Sequence, residues 1–427
     1  MRIGIENIGP VQKVEIDLSC PLIVFTGLNG SGKTYVSYLI YAFYSMFAFS
    51  KDVLGWNDLL NDKDLKIKKE LDIDLLSSIL KNHVEIVNDM LPYIYNVKPN
   101  DKIIKNGKIV LLSSKGEMRK EIEEKEIVFT AEDVFTFHKQ SGSLEYELKS
   151  IGGNTNDSNI VNMIILKSLL LNAIIEDMES SERSGMLTFN KELAIGRLNM
   201  HADNGHANSN YPMPIDLALK EINNLQAKYS LDSKYKFLAD ELENELLKGH
   251  LYLSETKKNE LVYRKTGIRK KIPFYLSSSG IKSVSSIIFF LRYCAMDCNL
   301  IIIDEPEISL HPKNQILFAR ALARIINAGI FLIINTHSDY IIREINNMIM
   351  LSSISKKEKV IKLGYKESEI LSADQVNAYY FEFQDDGISV VGREVEVSKT
   401  GFSIDLIDDV INNQVTTSQN IYENIEG

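Results

Sequence analysis

Three short runs of consecutive apolar residues dominate the hydrophobic pattern of the chain. They cover residues 22–26, 300–303 and 330–334. Runs of this kind are typical of strands buried on both faces of a parallel sheet. A helical pattern over residues 313–326 separates the last two runs, so they predict a strand, helix, strand crossover. Both strands should therefore end at the same edge of the sheet.

Strands and helices are also predicted towards the two ends of the chain. The patterns there cover residues 2–5, 11–18, 35–49, 376–383, 388–395 and 404–411. The apolar window 35–49 predicts a buried helix rather than a membrane span, because roughly 20 apolar residues are needed to cross a bilayer. Residues 376–383 and 388–395 predict a hairpin joined through Asp385-Asp386-Gly387, and residues 404–411 predict a final amphipathic helix.

The segment between residues 51 and 260 is more polar. Short strand patterns there predict an antiparallel side sheet, and they cover residues 108–112, 127–130 and 143–148. Helical patterns cover residues 51–101, 159–175 and 215–247, with a polar loop at residues 199–210. Charged helices at this place in the chain indicate a mainly helical arm or lid inserted into a core domain.

The predicted organisation is therefore a core domain in two parts with an insertion between them. Residues 1–50 and 261–345 form the two parts of the core, and residues 51–260 form the side sheet and the insertion. Residues 346–427 form the C-terminal hairpin and helix.

Composition narrows the class of protein. With 427 residues, 44% of them hydrophobic, the chain can bury a large core. A formal net charge of -10 argues against binding nucleic acid by bulk electrostatics, although it leaves room for a local basic groove. Three cysteines cannot form a disulfide framework and suit a reducing cytosol. The amino terminus lacks a signal-peptide pattern, so we expect a cytoplasmic protein without a membrane segment.

The first apolar strand continues directly into a complete phosphate-loop pattern. Residues 27–34 have the sequence Gly-Leu-Asn-Gly-Ser-Gly-Lys-Thr, which matches G-x-x-x-x-G-K-[ST] between a strand and a helix. The candidate nucleotide-binding residues are Gly27, Asn29, Gly30, Ser31, Gly32, Lys33 and Thr34. In such a loop the backbone N–H groups surround phosphates, the lysine reaches the outer phosphates and the threonine hydroxyl ligates Mg²⁺. A simple glycine turn before a helix is the alternative, and the flanking strand and helix favour the phosphate loop.

Polar residues follow the other apolar runs. Asp304 and Glu305 end one strand, where an acidic pair either binds Mg²⁺ and water or forms a charged turn. His337 follows the next strand, at the same predicted sheet edge. The stretch Ser278-Ser279-Gly280 begins an apolar helix, where it either caps the helix or forms an anion site from exposed N–H groups.

Together, these four motifs resemble those of ABC-type ATPases. The serine stretch corresponds to a degenerate signature, the acidic pair to the Walker B motif and His337 to the switch histidine. More narrowly, residues 6–10, 182–185, 279–283 and 304–312 are similar to ABC ATPases of the OLD (overcoming lysogenization defect) kind. Those are relatives of RecF and SMC heads, and many serve bacterial anti-phage systems. The implied fold class is α/β, an ABC-type P-loop NTPase head with an antiparallel side sheet and an inserted, mainly helical arm or lid.

The resemblance implies a chemical role for each motif, with ATP and Mg²⁺ bound. Asp304 and Thr34 would hold Mg²⁺, and Lys33 would contact the outer phosphates. Glu305 would orient the attacking water and His337 would contact the γ-phosphate. The implied activity is Mg²⁺-dependent hydrolysis of ATP to ADP and phosphate.

The resemblance also implies a homodimer or higher homo-oligomer assembled through the ATP sites. Heads of this family dimerise head to tail, so Ser278 and Gly280 of one subunit would complete the site of the other. The signature has serine where two glycines are common, which leaves open whether Ser277 or Ser278 is the aligned residue. Gln140 is the nearest candidate for the Q-loop glutamine, and His311 is expected at the dimer interface.

A nuclease domain is not expected in this chain. Nucleases of the OLD kind continue into a Toprim domain, which needs a Glu and an Asp-x-Asp at strand ends to hold metals. Some 90 residues follow His337, and the acidic pairs there, 385–386 and 408–409, are predicted in a turn and on a helix.

Two functions from different classes fit these motifs. In the first, an ATP-dependent dimer controls a separate effector, such as a nuclease or toxin, in bacterial anti-phage defence. In the second, the ATPase acts on DNA in repair or chromosome maintenance, and a basic cluster faces the nucleic acid. That cluster consists of Arg264, Lys265, Arg269, Lys270 and Lys271. Such a cluster is usually a solvated face, but it could also be a patch for nucleic acid or for a partner. A transporter ATPase fits less well, because the motifs match the RecF and SMC style and no membrane segment is predicted.

Overall fold

A computed structural model gives the fold of most of the chain. The described residues are 1–46, 66–70, 73–124, 127–131, 135–140, 143–148, 174–188, 211–223, 232–253, 261–403 and 405–426. The loop predicted at residues 199–210 lies outside them, as do residues 159–173 of a predicted helix.

The described residues form both strands and helices. The strands are β1 (Arg2–Ile8), β2 (Val11–Asp17), β3 (Leu22–Gly27), β4 (Lys66–Glu70), β5 (Lys108–Leu111), β6 (Ile127–Ala131), β7 (Phe135–Gln140), β8 (Ser143–Leu148), β9 (Ile174–Glu179), β10 (Gly249–Leu253), β11 (Leu261–Lys265), β12 (Ile272–Pro273), β13 (Asn299–Asp304), β14 (Phe331–Asn335), β15 (Val376–Phe383) and β16 (Val390–Val395). The helices are α1 (Lys33–Ser45), α2 (Ile73–Asp89), α3 (Leu91–Tyr95), α4 (Lys115–Glu124), α5 (Arg183–Thr188), α6 (Met213–Asn223), α7 (Lys236–Leu242), α8 (Ser279–Phe289), α9 (Pro312–Asn327), α10 (Asp339–Leu351), α11 (Lys357–Lys362) and α12 (Asp405–Glu426). The π-helical turns Glu243–Leu247 and Phe290–Cys294 extend α7 and α8.

A nine-stranded mixed sheet forms the centre of the fold. Its strand order is β5-β1-β2-β16-β15-β3-β14-β13-β9. From β15 to β9 all neighbouring strands run parallel, whereas β1 pairs antiparallel with both β2 and β5. A three-stranded sheet (β10-β11-β12) and a four-stranded sheet (β4-β8-β7-β6) are both antiparallel. The predicted α/β class, with a large sheet, a smaller antiparallel sheet and helical insertions, is confirmed.

Each face of the nine-stranded sheet packs against its own set of helices. On β3, Ile23 and Phe25 join a core with α1, α2 and α3, whereas Leu22 and Val24 join a core with α7, α8, α9 and α10. Successive side chains of a strand point to opposite faces, so only a strand that is apolar throughout can serve both cores. This explains the uninterrupted apolar runs of β3, β13 and β14.

Most of the predicted elements form, with corrections in the middle of the chain. Residues 66–70, inside the helical pattern predicted over 51–101, form strand β4 because they pair with β8, and residues 51–65 lie outside the described ranges. The strand predicted at residues 108–112 forms as β5, but it pairs with β1 in the large sheet and not in the side sheet. Residues 174 and 175 begin β9 instead of ending a helix, because they pair with β13.

The helix predicted over residues 215–247 is also interrupted. Residues 232–235 are not helical, because the Ser233 N–H donates to Arg292 O at 2.6 Å and its hydroxyl to Leu291 O at 2.6 Å. The chain is therefore bound here to the end of α8 rather than to its own helix.

The predicted C-terminal hairpin forms as β15 and β16, and β15 lies beside β3 in the large sheet. The final helix α12 is longer than the pattern over residues 404–411 indicated. No helix in the described ranges is long and apolar enough to cross a membrane.

Candidate functional site

The candidate site lies where β3, β13 and β14 end. In the parallel register Asp304 of β13 pairs with Asn335 of β14, and Asn335 pairs with Phe25 of β3. The residues that follow each strand therefore meet at one edge of the sheet, which is where open α/β sheets bind ligands. The phosphate loop, the acidic pair and His337 all follow these strands.

The phosphate loop connects β3 to α1 and needs glycine at specific positions. Gly27, Gly30 and Gly32 have φ of +142°, +76° and +89°, which residues with a side chain rarely adopt. A Cβ on Gly27 would lie 2.5 Å from Phe381 O, and one on Gly32 would lie 2.5 Å from Val11 Cγ2. Close packing and positive φ together explain the glycines. Ser31 is buried beneath the loop, whereas Asn29 is exposed at its tip.

Lys33 begins α1 and points its ammonium group back into the loop. Its Nζ donates to Gly27 O at 3.0 Å, to Leu28 O at 2.9 Å and to Ser31 Oγ at 3.3 Å. Burial lowers the pKa of Lys33, while the nearby carboxylates act in the opposite direction. The loop thus concentrates positive charge and N–H donors at the start of a helix, which is suitable for phosphate.

Asp304 connects the phosphate loop to the neighbouring strand. The Thr34 hydroxyl donates to Asp304 Oδ2 at 3.0 Å, and Asn335 Nδ2 donates to Asp304 Oδ1 at 2.8 Å. Ser37 of α1 in turn donates to Asn335 Oδ1 at 2.9 Å. Burial raises the pKa of the Asp304 carboxyl, against the effect of the two hydrogen bonds. A bound cation would therefore stabilise the charged form of this carboxylate.

The donor set at Asp304 fits magnesium. Thr34 and Asp304 offer two oxygen atoms side by side, and no group of three His, Cys, Asp or Glu side chains in the described ranges could hold a metal. Mg²⁺ is usually bound by one or two protein oxygens together with water and substrate phosphates, rather than by an all-protein cage. The residues present therefore fit Mg²⁺ held jointly with a nucleotide.

Glu305, directly after β13, has a strained backbone. Its φ is +48°, in the left-handed region that residues with a side chain seldom occupy. Its N–H donates to Asn335 O at 2.9 Å, which fixes one side of the residue. Strain of this kind persists only where the surroundings impose it, and it is concentrated at functional sites.

Glu307 was not singled out as a site residue in the sequence, although it belongs to the Asp-Glu-Pro-Glu stretch. Its Oε2 accepts from the Thr336 hydroxyl at 2.9 Å, and its Oε1 accepts from the His337 N–H at 2.9 Å. His337 Nδ1 lies 3.5 Å from the same Oε1, and 43% of the His337 side chain is exposed. Glu307 therefore holds the loop that presents His337 at the sheet edge.

Arg183, at the start of α5, is the other residue that sequence reasoning left without a site role. Its side chain is buried, and its guanidinium donates to backbone oxygens of Asp304 at 2.7 Å and Glu305 at 3.0 Å. The only sequence signal was its place in the stretch 182–185, which carries the narrower family resemblance. Nothing local predicts these partners, because they lie more than 100 residues away along the chain.

The serine stretch is placed differently from the other motifs. Ser278 is the N-cap of α8 and its hydroxyl accepts from the Ile281 N–H at 3.4 Å, while Ser279 is exposed. Gly280 packs against the turn that follows the acidic pair, since a Cβ there would lie 3.2 Å from Ser309 O. Within the described residues no hydrogen bond joins 278–280 to the phosphate loop of the same chain.

Gln140 and His311 are two further candidates from the sequence. Gln140 ends β7, in the four-stranded sheet that shares no strand with the nine-stranded sheet. His311 is exposed and caps α9, where its Nδ1 accepts from the Lys313 N–H at 3.3 Å. Their expected Q-loop and interface roles remain predictions.

The fold and this site define the class of protein. A phosphate loop between a buried strand and a helix, next to an acidic pair on a neighbouring parallel strand, is the arrangement of a P-loop ATPase. Comparison with protein families agrees: a family model described as an AAA ATPase domain matches residues 1–342. The chain belongs to this family.

Comparisons with individual proteins add little beyond the family. No curated protein matches the chain. Among solved structures, the SMC head domain from Thermotoga maritima is similar at 12% identity, with a TM-score of 0.34 over 93% of this chain and 98% of that chain. An SMC head bound to the C-winged helix domain of ScpA is similar at 11% identity, with a TM-score of 0.36 over 92% and 98%. A third, the Smc head with an extended coiled coil bound to the C-terminal domain of ScpA derived from Pyrococcus furiosus, has 10% identity and a TM-score of 0.31 over 100% and 99%. Likeness at this level carries no argument about function or partners.

Proposed function

We propose that this chain binds ATP with Mg²⁺ at the edge of the sheet and hydrolyses it to ADP and phosphate. The observation that carries the proposal is the Asp304 carboxylate, hydrogen-bonded to Thr34 of the phosphate loop at 3.0 Å and followed directly by Glu305. This arrangement supports a metal-binding role for Asp304 and a water-orienting role for Glu305.

Each residue would act on a defined part of the substrate. The loop N–H groups and the Lys33 ammonium would bind the β- and γ-phosphates, and Thr34 and Asp304 would hold Mg²⁺. Bound Mg²⁺ would neutralise charge on the phosphate oxygens. Glu305 would accept a hydrogen bond from the attacking water and align it with the γ-phosphorus. His337, presented by Glu307, would donate to a γ-phosphate oxygen.

The signature residues would act on a second subunit. Ser279 is exposed at the N-terminus of α8, and among the described residues no hydrogen bond runs from 278–280 to the phosphate loop of the same chain. We propose that they contact the γ-phosphate of the ATP bound to a partner subunit, so that ATP joins two heads in a head-to-tail dimer. A homodimer, or a higher homo-oligomer, would then close with ATP and open after hydrolysis.

The cellular role we favour is the control of a separate effector protein in bacterial anti-phage defence, in the cytoplasm. Its support is the residue pattern that resembles ATPases of the OLD kind, above all the stretch 304–312. The test is the set of neighbouring genes together with a phage-plating assay. A nearby nuclease or toxin gene, and loss of protection in a Lys33→Ala strain, are expected; a neighbourhood of repair genes with unchanged plating would contradict this role.

The ATPase activity is tested with two substitutions that act at different steps. Lys33→Ala removes the ammonium inside the loop and should abolish nucleotide binding. Glu305→Gln leaves the phosphate contacts in place, so it should retain ATP binding, stall hydrolysis and accumulate closed dimers, as measured by phosphate release and by light scattering. Normal turnover in Glu305→Gln would remove the role given to this carboxylate.

A second function, action on DNA, is supported by one observation. Residues 264–271, from the last two residues of β11 to the start of β12, are all exposed and include five cations, Arg264, Lys265, Arg269, Lys270 and Lys271. None of the five forms an ion pair with a residue that the structure describes, although Arg264 and Lys271 lie over the ring of Tyr252 at 5.8 and 5.1 Å. Cations grouped at the end of a strand and in the turn that follows can release counterions from a phosphate backbone, even in an acidic protein.

The DNA-binding role is tested by charge reversal in this turn. If it is correct, Lys270→Glu with Lys271→Glu should weaken duplex DNA binding and reduce its salt dependence, because two phosphate contacts are lost. Reversal of Lys102 and Lys105, which are exposed in the loop before β5, is the matched control and should have little effect. Unchanged DNA affinity in the first variant would leave the basic turn as a solvated face.

A further inference from the structure

Arg183 connects three segments of the site through backbone oxygens alone. Its Nε donates to Ser283 O at 2.7 Å, and its Nη1 to Ser180 O at 3.0 Å and Asp304 O at 2.7 Å. Its Nη2 donates to Glu305 O at 3.0 Å. Ser180 follows the edge strand β9, Ser283 lies in α8, and Asp304 and Glu305 form the Walker B motif. The guanidinium thus joins the signature helix to the acidic pair.

The environment of Arg183 differs from that of an arginine buried for stability. Its side chain is only 3% exposed, yet none of its hydrogen bonds within the described residues is to a carboxylate. Arg324, at 4% exposed, is the contrasting case, because it forms ion pairs with Glu241, Glu245 and Glu369. Burying a cation without a directly paired anion is unfavourable, and burial indeed lowers the pKa of Arg183. The burial of Arg183 is therefore better explained by a need to hold these backbone segments in position than by a contribution to stability.

The bonds of Arg183 act on the strained residue of the site. Glu305, at φ +48°, is held on its N–H side by Asn335 O and on its carbonyl side by Arg183 Nη2. Those two contacts determine where its side chain leaves the backbone. At the other end, Arg183 Nε holds Ser283 O, five residues after the N-cap Ser278.

We infer that Arg183 is a positioning residue that couples helix α8 to the Glu305 carboxylate. The guanidinium is planar and its donors keep a fixed geometry, so a shift of Ser283 O is transmitted to Glu305 O. Contact of the signature residues with a nucleotide on the partner subunit would then move the Glu305 side chain into the position where it orients the attacking water. This inference rests on the proposed function for the chemical role of Glu305. The clamp itself, meaning the hydrogen bonds from Arg183 to Ser283 O, Asp304 O and Glu305 O, does not depend on that function.

The kinetic test compares Arg183→Lys and Arg183→Gln with the wild-type protein. Neither side chain can bridge Ser283, Asp304 and Glu305 together, whereas the phosphate-loop contacts are untouched. We expect kcat to fall about 10- to 100-fold, the cost of misplacing a catalytic group by about 1 Å, while the Kd of a fluorescent ATP analogue changes less than about 3-fold. Lysine should not restore activity, because one ammonium group cannot replace the planar guanidinium and its several N–H donors.

A double substitution separates positioning from general damage. In a Glu305→Gln background, Arg183→Gln should cost less than about 3-fold more in residual turnover, because both changes remove the same function. Additive losses, or parallel losses of affinity and kcat, would overturn the inference. Arg324→Gln is the matched control: it should lower the melting temperature but leave the kcat of the folded protein unchanged.

Amide hydrogen exchange tests the clamp without any hydrolysis. In Arg183→Lys and Arg183→Gln, exchange should increase in the peptide covering residues 304–310 and remain unchanged in residues 27–40. Unchanged exchange at 304–310 in both variants would refute the clamp. A wild-type protein that releases no phosphate, but whose variants show the local increase in exchange, would refute the proposed hydrolysis and retain the clamp.

Discussion

Replacement of Glu307 by glutamine should destabilise the protein and slow the reaction, although Glu307 is not proposed to touch the substrate. Glu307 is 8% exposed, and its carboxylate accepts two hydrogen bonds at 2.9 Å, from the Thr336 hydroxyl and from the His337 N–H. Glutamine has one acceptor oxygen in place of two. If that oxygen keeps its hydrogen bond from the His337 N–H, the Thr336 hydroxyl loses its acceptor. Thr336 is fully buried, so water does not replace that acceptor.

The size of the effect follows from the number of bonds lost. A hydrogen bond to a charged group contributes about 1.5–3 kcal/mol, and an unsatisfied buried donor costs about 1–3 kcal/mol. We therefore expect Glu307→Gln to lower the free energy of unfolding by about 2 kcal/mol, with a further loss of kcat because the loop carrying His337 shifts. Urea unfolding followed by far-UV circular dichroism measures the first quantity, and phosphate release measures the second.

A double-mutant cycle with Thr336→Val attributes the loss to the stated bond. Once valine has removed the hydroxyl proton, Glu307→Gln should cost about 1 kcal/mol less than it does in the wild-type background. Stability equal to wild type in Glu307→Gln, or the same cost in both backgrounds, would refute the reasoning.

Two further predictions concern the glycines of the loop and a cysteine outside the site. Gly27→Ala should abolish nucleotide binding and lower the melting temperature, because its Cβ would lie 2.5 Å from Phe381 O. In Gly30→Ala the new Cβ meets no atom within 4 Å, so this change should cost only the strain of positive φ, about 1 kcal/mol. Equal losses in calorimetry would contradict this ranking. Burial raises the pKa of the Cys298 thiol from 9.0 to about 11, so only about one molecule in a thousand is thiolate at pH 8, and labelling by iodoacetamide should keep accelerating above pH 9. A labelling rate that levels off near pH 9 would show an ordinary thiol.

The elements that carry the motifs were predictable because their signals are local. The phosphate loop occupies eight consecutive residues, and its glycines, lysine and threonine act through the backbone they belong to. The apolar runs of β3, β13 and β14 indicate burial on both faces, which only a central parallel strand requires. The predictions were wrong where pairing partners decided the outcome, as at β5 and at residues 174 and 175, because a short strand pattern does not specify the strand it will join.

Sequence patterns alone were enough to predict a P-loop ATPase and to single out the stretch 27–34, the acidic pair Asp304-Glu305 and His337 as its candidate site. The contacts that hold these residues in position could be found only in the tertiary structure. The partners of Arg183 lie 3, 100, 121 and 122 residues away along the chain, and those of Glu307 lie 29 and 30 residues away. No spacing rule connects such positions, because the contacts exist only once parallel strands and helix α8 have packed at one edge of the sheet. A motif can be recognised from a few consecutive residues and their chemistry, whereas the position of its side chains depends on contacts made across the whole fold.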